Sequence, residues 1–162
     1  MKKAISLQLQ LAEIIYDIQN KTYLTGRSLS GNDNYSHIAN MQANDDDENA
    51  AQILRSITTA FSVLRNRLSE YILSDEIISS NESLTTEDSL TIALSMPSNF
   101  NGAVTKNLGE LAHQFIVAHA VADWFAITAK GETSDYTEVA ETSLKMIEEA
   151  LCKRSRPSRT AV

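Results

Sequence analysis

Three histidines and one cysteine are the side chains of this 162-residue chain that are best suited to acid–base or nucleophilic chemistry. His113 and His119 are six residues apart, so they cannot share a helix face as two metal ligands at i and i+4 would. His119 and Asp123 are four apart on a predicted helix and can pair, as in a catalytic dyad. A buried or half-buried histidine with its hydrogen bonds satisfied is the favoured interpretation, and Cys152 has no histidine near it in sequence to act as its base.

No motif in the sequence adds chemistry to these residues. Dinucleotide and phosphate loops, the serine hydrolase elbow and the paired-histidine zinc motif are all missing, and the acidic run lacks the spacing of a calcium loop. A single cysteine excludes an intramolecular disulfide and a cysteine-rich zinc site. We therefore expect no catalytic residues, no cofactor, no metal ligands and no enzyme activity.

Charge is concentrated at two places instead. Four acids in succession run from Asp45 to Glu48, and the last ten residues hold four cations and no acid. The acidic run is typical of a helix start, with Asp45 as the N-cap and Glu48 completing a capping box; the alternative is a docking site for a basic segment or a cation. We predict that eight residues contact neighbouring subunits: Asp45, Asp46, Asp47, Glu48, Lys153, Arg154, Arg156 and Arg159.

The overall charge bears on the class of partner. The formal net charge is -7, and without the four terminal cations the chain has 10 basic and 21 acidic residues. An acidic body is unsuited to binding a phosphate backbone, so DNA contact is expected nowhere except near the basic tail. That tail is interpreted as a solubilising segment, as a docking arm for a neighbour's acidic surface, or less readily as a DNA contact. No apolar run spans a membrane, and polar residues interrupt any secretory signal.

Apolar periodicity predicts a mainly α fold, a bundle of about four helices. The first helix is expected over 4–20, although Ile5, Leu7, Leu9 and Leu11 also alternate as in a strand. The second helix is expected over about 45–72, the third over about 104–129 and apolar on nearly all sides, and the fourth from about Ser134 to Leu151.

Three other segments are predicted to be extended. Residues 22–44 are rich in turn formers and are expected to form a long loop or arm. Residues 90–96 alternate as a strand, for which 76–79 is the expected hairpin partner. We therefore predict one helical domain over 1–152, with an inserted hairpin near 76–96, and a basic tail over 153–162.

The C-terminal part resembles a family. Residues Leu94 to Asn101 precede a long apolar helix that contains Phe115-Ile116-Val117 and ends in Ala122 to Thr128, and the chain then reaches Lys153-Arg154-Ser155-Arg156-Pro157. Over about the last 70 residues, this order resembles small structural proteins of the head–tail module of tailed bacteriophages and prophages.

The resemblance implies a structural protein of the virion, made in the bacterial host cytoplasm. Proteins of this kind form rings between the portal and the tail, so homo-oligomers and contacts with portal, tail or neck proteins are expected. The arms that interlock neighbours would then be the loop over 22–44, the hairpin over 76–96 and the basic tail. The alternative class is a cytoplasmic helical regulatory or immunity-type protein that binds one partner through one surface.

Overall fold

The computed structural model describes residues 1–29, 35–73 and 88–158. Within them the chain forms five α-helices and two β-strands, which confirms the mainly α fold class with a small antiparallel β element. In chain order they are β1 Lys3–Gln10, α1 Leu11–Ser28, α2 Tyr35–Met41, α3 Asp47–Arg67, β2 Ser89–Met96, α4 Thr105–Thr128 and α5 Thr133–Leu151.

Helix α4 is the centre of the molecule, as its nearly all-round apolar sequence predicts. The other long helices, α1, α3 and α5, all pack against it, and α5 has the most extensive contact. Twelve of its side chains are buried: Leu108, Leu111, Ala112, Phe115, Ile116, Val117, Ala118, Ala120, Val121, Ala122, Trp124 and Phe125. A helix surrounded on this scale can only be a central one.

The N-terminal segment is a strand followed by a helix, so the prediction of a helix over 4–20 is wrong for its first part. Leu7 and Leu9 are both buried while Ser6, Gln8 and Gln10 are exposed, a period of two. A helix would have placed Leu7 and Leu9 about 200° apart on its surface and buried only one of them.

The two strands pair antiparallel along their whole length, with Lys3 opposite Met96 and Gln10 opposite Ser89. At the other edge of β2, the Leu73 N–H donates to Ala93 O at 3.1 Å and the Ser95 N–H donates to Tyr71 O at 2.6 Å. Strand β2 therefore lies between β1 and a short extended stretch. The predicted hairpin partner, 76–79, is outside the described residues.

Residues 22–44 were predicted to be a loop or arm, and the described part of that segment folds onto its own subunit instead. Helix α1 continues to Ser28, and α2 follows with Met41 fully buried. The Trp124 Nε1–H donates to Met41 O at 2.8 Å, and the Ala43 N–H donates to Thr22 Oγ1 at 3.1 Å. Partners on α1 and α4 thus anchor Met41 and Ala43 in the core.

Helix α3 begins at Asp47, and its N-cap is Asp46 rather than the predicted Asp45. The Asp46 side chain accepts a hydrogen bond from Asn44 Nδ2 at 2.8 Å and does not cap the helix. The helix ends at Arg67, several residues earlier than predicted, because Tyr71 and the two residues after it extend to pair with β2.

Candidate functional site

The outer edge of β1 is an unpaired strand edge. In the pairing with β2, Leu11 N–H donates to Asp88 O at 3.0 Å, which fixes the odd-numbered residues of β1 as those facing β2. Ala4, Ser6 and Gln8 therefore direct their backbone N–H and C=O groups away from the sheet. None of these groups has a hydrogen-bond partner among the residues that the structure describes.

A groove of about 510 Å³ follows this edge. One wall is β1 from Ser6 to Gln10 with Glu13 at its end, and the other is the first half of α4, with Lys106, Gly109 and Glu110. A Cβ atom placed on Gly109 would meet nothing within 4 Å, so the groove is open beside this part of the α4 wall. The sequence indicated the strand through its early alternation, but the groove depends on how α4 packs beside it.

The three histidines lie apart and have different environments. His113 Nε2 is 2.6 Å from Asp17 Oδ2, which ties α4 to α1, and His37 is exposed on α2. The His119 ring packs against Phe115 with a centroid separation of 5.7 Å. His119 is half-buried, as predicted, but its hydrogen bonds are not satisfied as predicted, because its Nδ1 atom is buried without a partner in the described part of the chain.

His119 and Asp123 line the same cleft but do not form a dyad through a hydrogen bond. Asp123 Oδ2 instead accepts a hydrogen bond from Ser56 Oγ at 2.9 Å. The cleft has a volume of about 360 Å³ and lies between α3, α4 and α5, with walls that are mainly apolar. Thr133 Oγ1, at the start of α5, also lines it and is buried without a partner among the described residues. Cys152 is exposed at the far end of α5, beside Lys145 and Glu148, so it does not reach this cleft.

The acidic run is exposed over all four residues, from Asp45 to Glu48. Asp45 accepts a hydrogen bond from Gln19 Nε2, which ties the run to α1. Asp47 and Glu48 lie in the first turn of α3, where the helix dipole favours acids. No acid of the run forms an ion pair within residues 1–29, 35–73 and 88–158, so the run is both a helix start and an available anionic patch.

The basic tail is not a free arm from its first residue. The Asn101 N–H donates to Lys153 O at 3.2 Å and the Ser155 N–H donates to Asn99 O at 2.8 Å, an antiparallel bridge within the subunit. Arg154 Nη1 donates to Leu151 O at 2.7 Å and so closes the end of α5.

Beyond this bridge Arg156, Pro157 and Ser158 are exposed, and Arg159 is outside the described residues. The acidic run and the basic tail make no ion pair with each other among the described residues.

Helix α1 carries an exposed apolar stripe that was not predicted from the sequence. Tyr16, Tyr23 and Leu24 are 65%, 43% and 49% exposed, and their spacing of seven and eight residues places them on one side of the helix. Ile14 and Ile18 are fully buried on the opposite side. The available signal was the pair of tyrosines seven residues apart, which is hidden when residues after 22 are taken as a loop.

Within the described residues, no group of three histidine, cysteine or acidic side chains is placed to hold a metal ion. None of the helices in that part of the chain is long and apolar enough to cross a membrane. Comparison of the chain with protein-family models, curated proteins and solved structures gives no match. What the chain does must therefore be inferred from its own surfaces.

Proposed function

We propose that the chain is a non-enzymatic structural subunit that assembles with copies of itself and with neighbouring proteins. The assembly proposed is a head–tail connector, a ring between the portal and the tail of a tailed bacteriophage or prophage. The observation that carries the proposal is the apolar stripe of Tyr16, Tyr23 and Leu24 on α1. The resemblance of residues 94–157 to small head–tail proteins supports the choice of assembly.

The stripe has the composition of a protein interface. Tyrosine is enriched where proteins meet, because its ring contributes apolar area and its hydroxyl can still find a partner. Full burial of one large apolar side chain contributes about 1.5–3 kcal/mol, so burial of these three side chains can stabilise an interface measurably. Opposite charges then set the register between copies, with the acidic run and the basic tail as candidate complementary ends.

A ring requires two different surfaces on each subunit, because only a head-to-tail contact that closes by rotation gives a cycle. The described residues offer different surfaces for such a contact, since the α1 stripe, the β1 edge and the start of the basic tail belong to different elements. In this proposal the chain is made in the bacterial host cytoplasm and is retained in the virion.

The test is to remove the stripe and measure assembly. The double variant Tyr16→Ser with Tyr23→Ser should raise the dissociation constant for assembly at least tenfold, measured by native mass spectrometry and light scattering. The full chain is measured alone and mixed with portal protein, since some connectors assemble only on a portal.

The matched control is Val139→Ser with Met146→Ser, which removes two exposed apolar side chains at the same spacing from α5. An α1 variant that assembles as tightly as the wild type, or a control that weakens assembly equally, would contradict the role of the stripe. We expect genes for portal, capsid and tail proteins beside this one. Their absence would contradict the phage assignment but not assembly through the stripe.

A second candidate function is a cytoplasmic regulatory or immunity-type protein, and the cleft between α3, α4 and α5 favours it. The cleft offers apolar walls, the carboxylates of Asp123 and Glu141, and polar atoms of His119 and Thr133 that have no partner within residues 1–29, 35–73 and 88–158. A partner's long side chain with a cationic end would fit this chemistry. A monomer or dimer that binds one partner, with affinity lost in Ala126→Trp, would favour this candidate over a ring.

A further inference from the structure

We infer that the groove between the outer edge of β1 and the first half of α4 binds an extended segment as an additional strand, and that this segment is the basic tail of a second copy of the chain. The inference rests on the proposed self-assembly and names its site. Strand addition gives affinity through backbone hydrogen bonds and specificity through the side chains that enter the groove.

The edge itself lacks the features that proteins use to block strand addition. Between Lys3 and Glu13 there is no charged residue and no proline, and the register with β2 runs without a bulge. Ala4, Ser6 and Gln8 present in a row beside the groove N–H and C=O groups that have no partner among the described residues. An extended backbone laid there can satisfy these groups.

The groove has room for the side chains of such a strand. Side chains of an added strand alternate between the solvent face and the face toward α4. On the α4 side they would lie over Gly109, where the surface is open and a compact apolar side chain can fit. Lys106 and Glu110 form one weak, exposed ion pair at 3.9 Å at this wall, and Glu13 forms no ion pair among the described residues.

The charges identify the occupant as cationic. Groove residues Glu13 and Glu110 outnumber the cation Lys106, so Glu13 is left over after the Lys106–Glu110 pair, and the lining residue His113 is already paired with Asp17. The last ten residues of the chain hold four cations and no acid. A tail and a groove of opposite charge attract each other when they belong to different copies, so in this arrangement the groove, rather than the acidic run from Asp45 to Glu48, receives the tail.

The backbone of the tail also fits. Its first residues, Lys153 to Ser155, already pair in extended form with 99–101 of their own subunit. If Arg156 and Ser158 pair with β1, then Pro157 directs its nitrogen to the outer edge and its ring toward Gly109. Proline is tolerated on an edge strand, and there it stops any further strand from adding. The contact is head-to-tail, as a ring needs.

The test fills the groove in the full-length chain. Gly109→Leu should raise the dissociation constant for self-assembly at least tenfold, while the urea midpoint stays equal to or above that of the wild type, because leucine favours helix over glycine. Gly131→Leu is the matched control, since its added Cβ also meets nothing within 4 Å but lies far along the chain, between α4 and α5. A synthetic peptide of residues 153–162 should compete with the intact tails and dissociate the wild-type assembly.

Two outcomes would overturn the inference. If Gly109→Leu assembles as tightly as the wild type, the groove is not the site, although the proposed function stands on the α1 stripe. If the wild type remains monomeric at all concentrations, a second copy's tail is not the occupant, and mixing with portal protein then decides the proposed function separately. Ser6→Pro, which removes one outward N–H and no hydrogen bond seen among the described residues, provides a second variant with the same expected loss.

Discussion

At the scale of single residues, two buried threonine hydroxyls differ in whether the fold needs their hydrogen bonds. Thr22 is fully buried, and its Oγ1 donates to Gln19 O at 2.9 Å and accepts from the Ala43 N–H. Thr133 Oγ1 is buried without a partner among the described residues. We therefore expect the Thr22 hydroxyl to stabilise the folded state and the Thr133 hydroxyl to contribute nothing to it.

We predict that Thr22→Val lowers the free energy of unfolding by about 1–3 kcal/mol, because it leaves the buried Ala43 N–H without an acceptor. Thr133→Val should leave that free energy unchanged or raise it slightly, since no bond is lost and the shape is kept. Urea unfolding followed by circular dichroism measures both. A destabilising Thr133→Val would show that this hydroxyl has a partner, such as an ordered water in the cleft.

The residue scale also shows where sequence reasoning fails for sites. His119 and Asp123 have the spacing to pair on one helix, yet Asp123 accepts its hydrogen bond from Ser56 on α3. Spacing along one helix describes only neighbours on that helix, whereas the choice of partner depends on what the next helix presents. The half-burial of His119 was predictable from its apolar surroundings, and its missing partner was not.

At the scale of elements, the long and strongly periodic segments were predictable and the ambiguous ones were not. The positions of α4 and α5 and the strand character of 90–96 followed from periodicity alone. The prediction for the N-terminal segment was wrong because its alternating pattern lasts only until Leu11, where a helical pattern begins. The helical pattern was assigned to the alternating residues as well. The loop prediction for residues 22–44 was wrong because it relied on glycine and asparagine as turn formers. Gly26 lies within α1, where an added Cβ atom would be 3.4 Å from Ile38 Cγ2.

The strand assignment of β1 makes a prediction that a helix would not. Leu9→Ser should lower the free energy of unfolding by about 2–5 kcal/mol, because Leu9 is 4% exposed against the core. Gln8→Ser, at the exposed neighbouring position, should change it by no more than about 0.5 kcal/mol. A tolerated Leu9→Ser, measured by the same urea titration, would argue against the strand.

At the scale of the whole molecule, charge separation is expected to control association without affecting the fold. Arg156 is exposed beyond the bridge that holds the tail, whereas Arg154 closes the end of α5 and is a poorer test. Arg156→Glu should weaken self-assembly several-fold at low salt while the urea midpoint stays constant. Lys130→Glu makes the same charge change in the turn between α4 and α5 and is the control.

The salt dependence of self-assembly provides a second test of this prediction. The Debye length falls from about 10 Å at 0.1 M to about 3 Å at 1 M ionic strength, so the difference between Arg156→Glu and the wild type should shrink as salt is added. Equal weakening by Lys130→Glu would show that net charge, rather than the tail, controls association.

The pairing of the first strand with a strand near residue 90 also has a consequence for biosynthesis. Leu9 lies opposite Leu90, so β1 leaves the ribosome long before β2 exists. At about 5–20 residues per second, a gap of about 80 residues corresponds to a wait of roughly 4–16 s. During that interval the uncharged segment from Ala4 to Gln10 lacks both β2 and α4, the two later elements that pack beside it in the folded subunit.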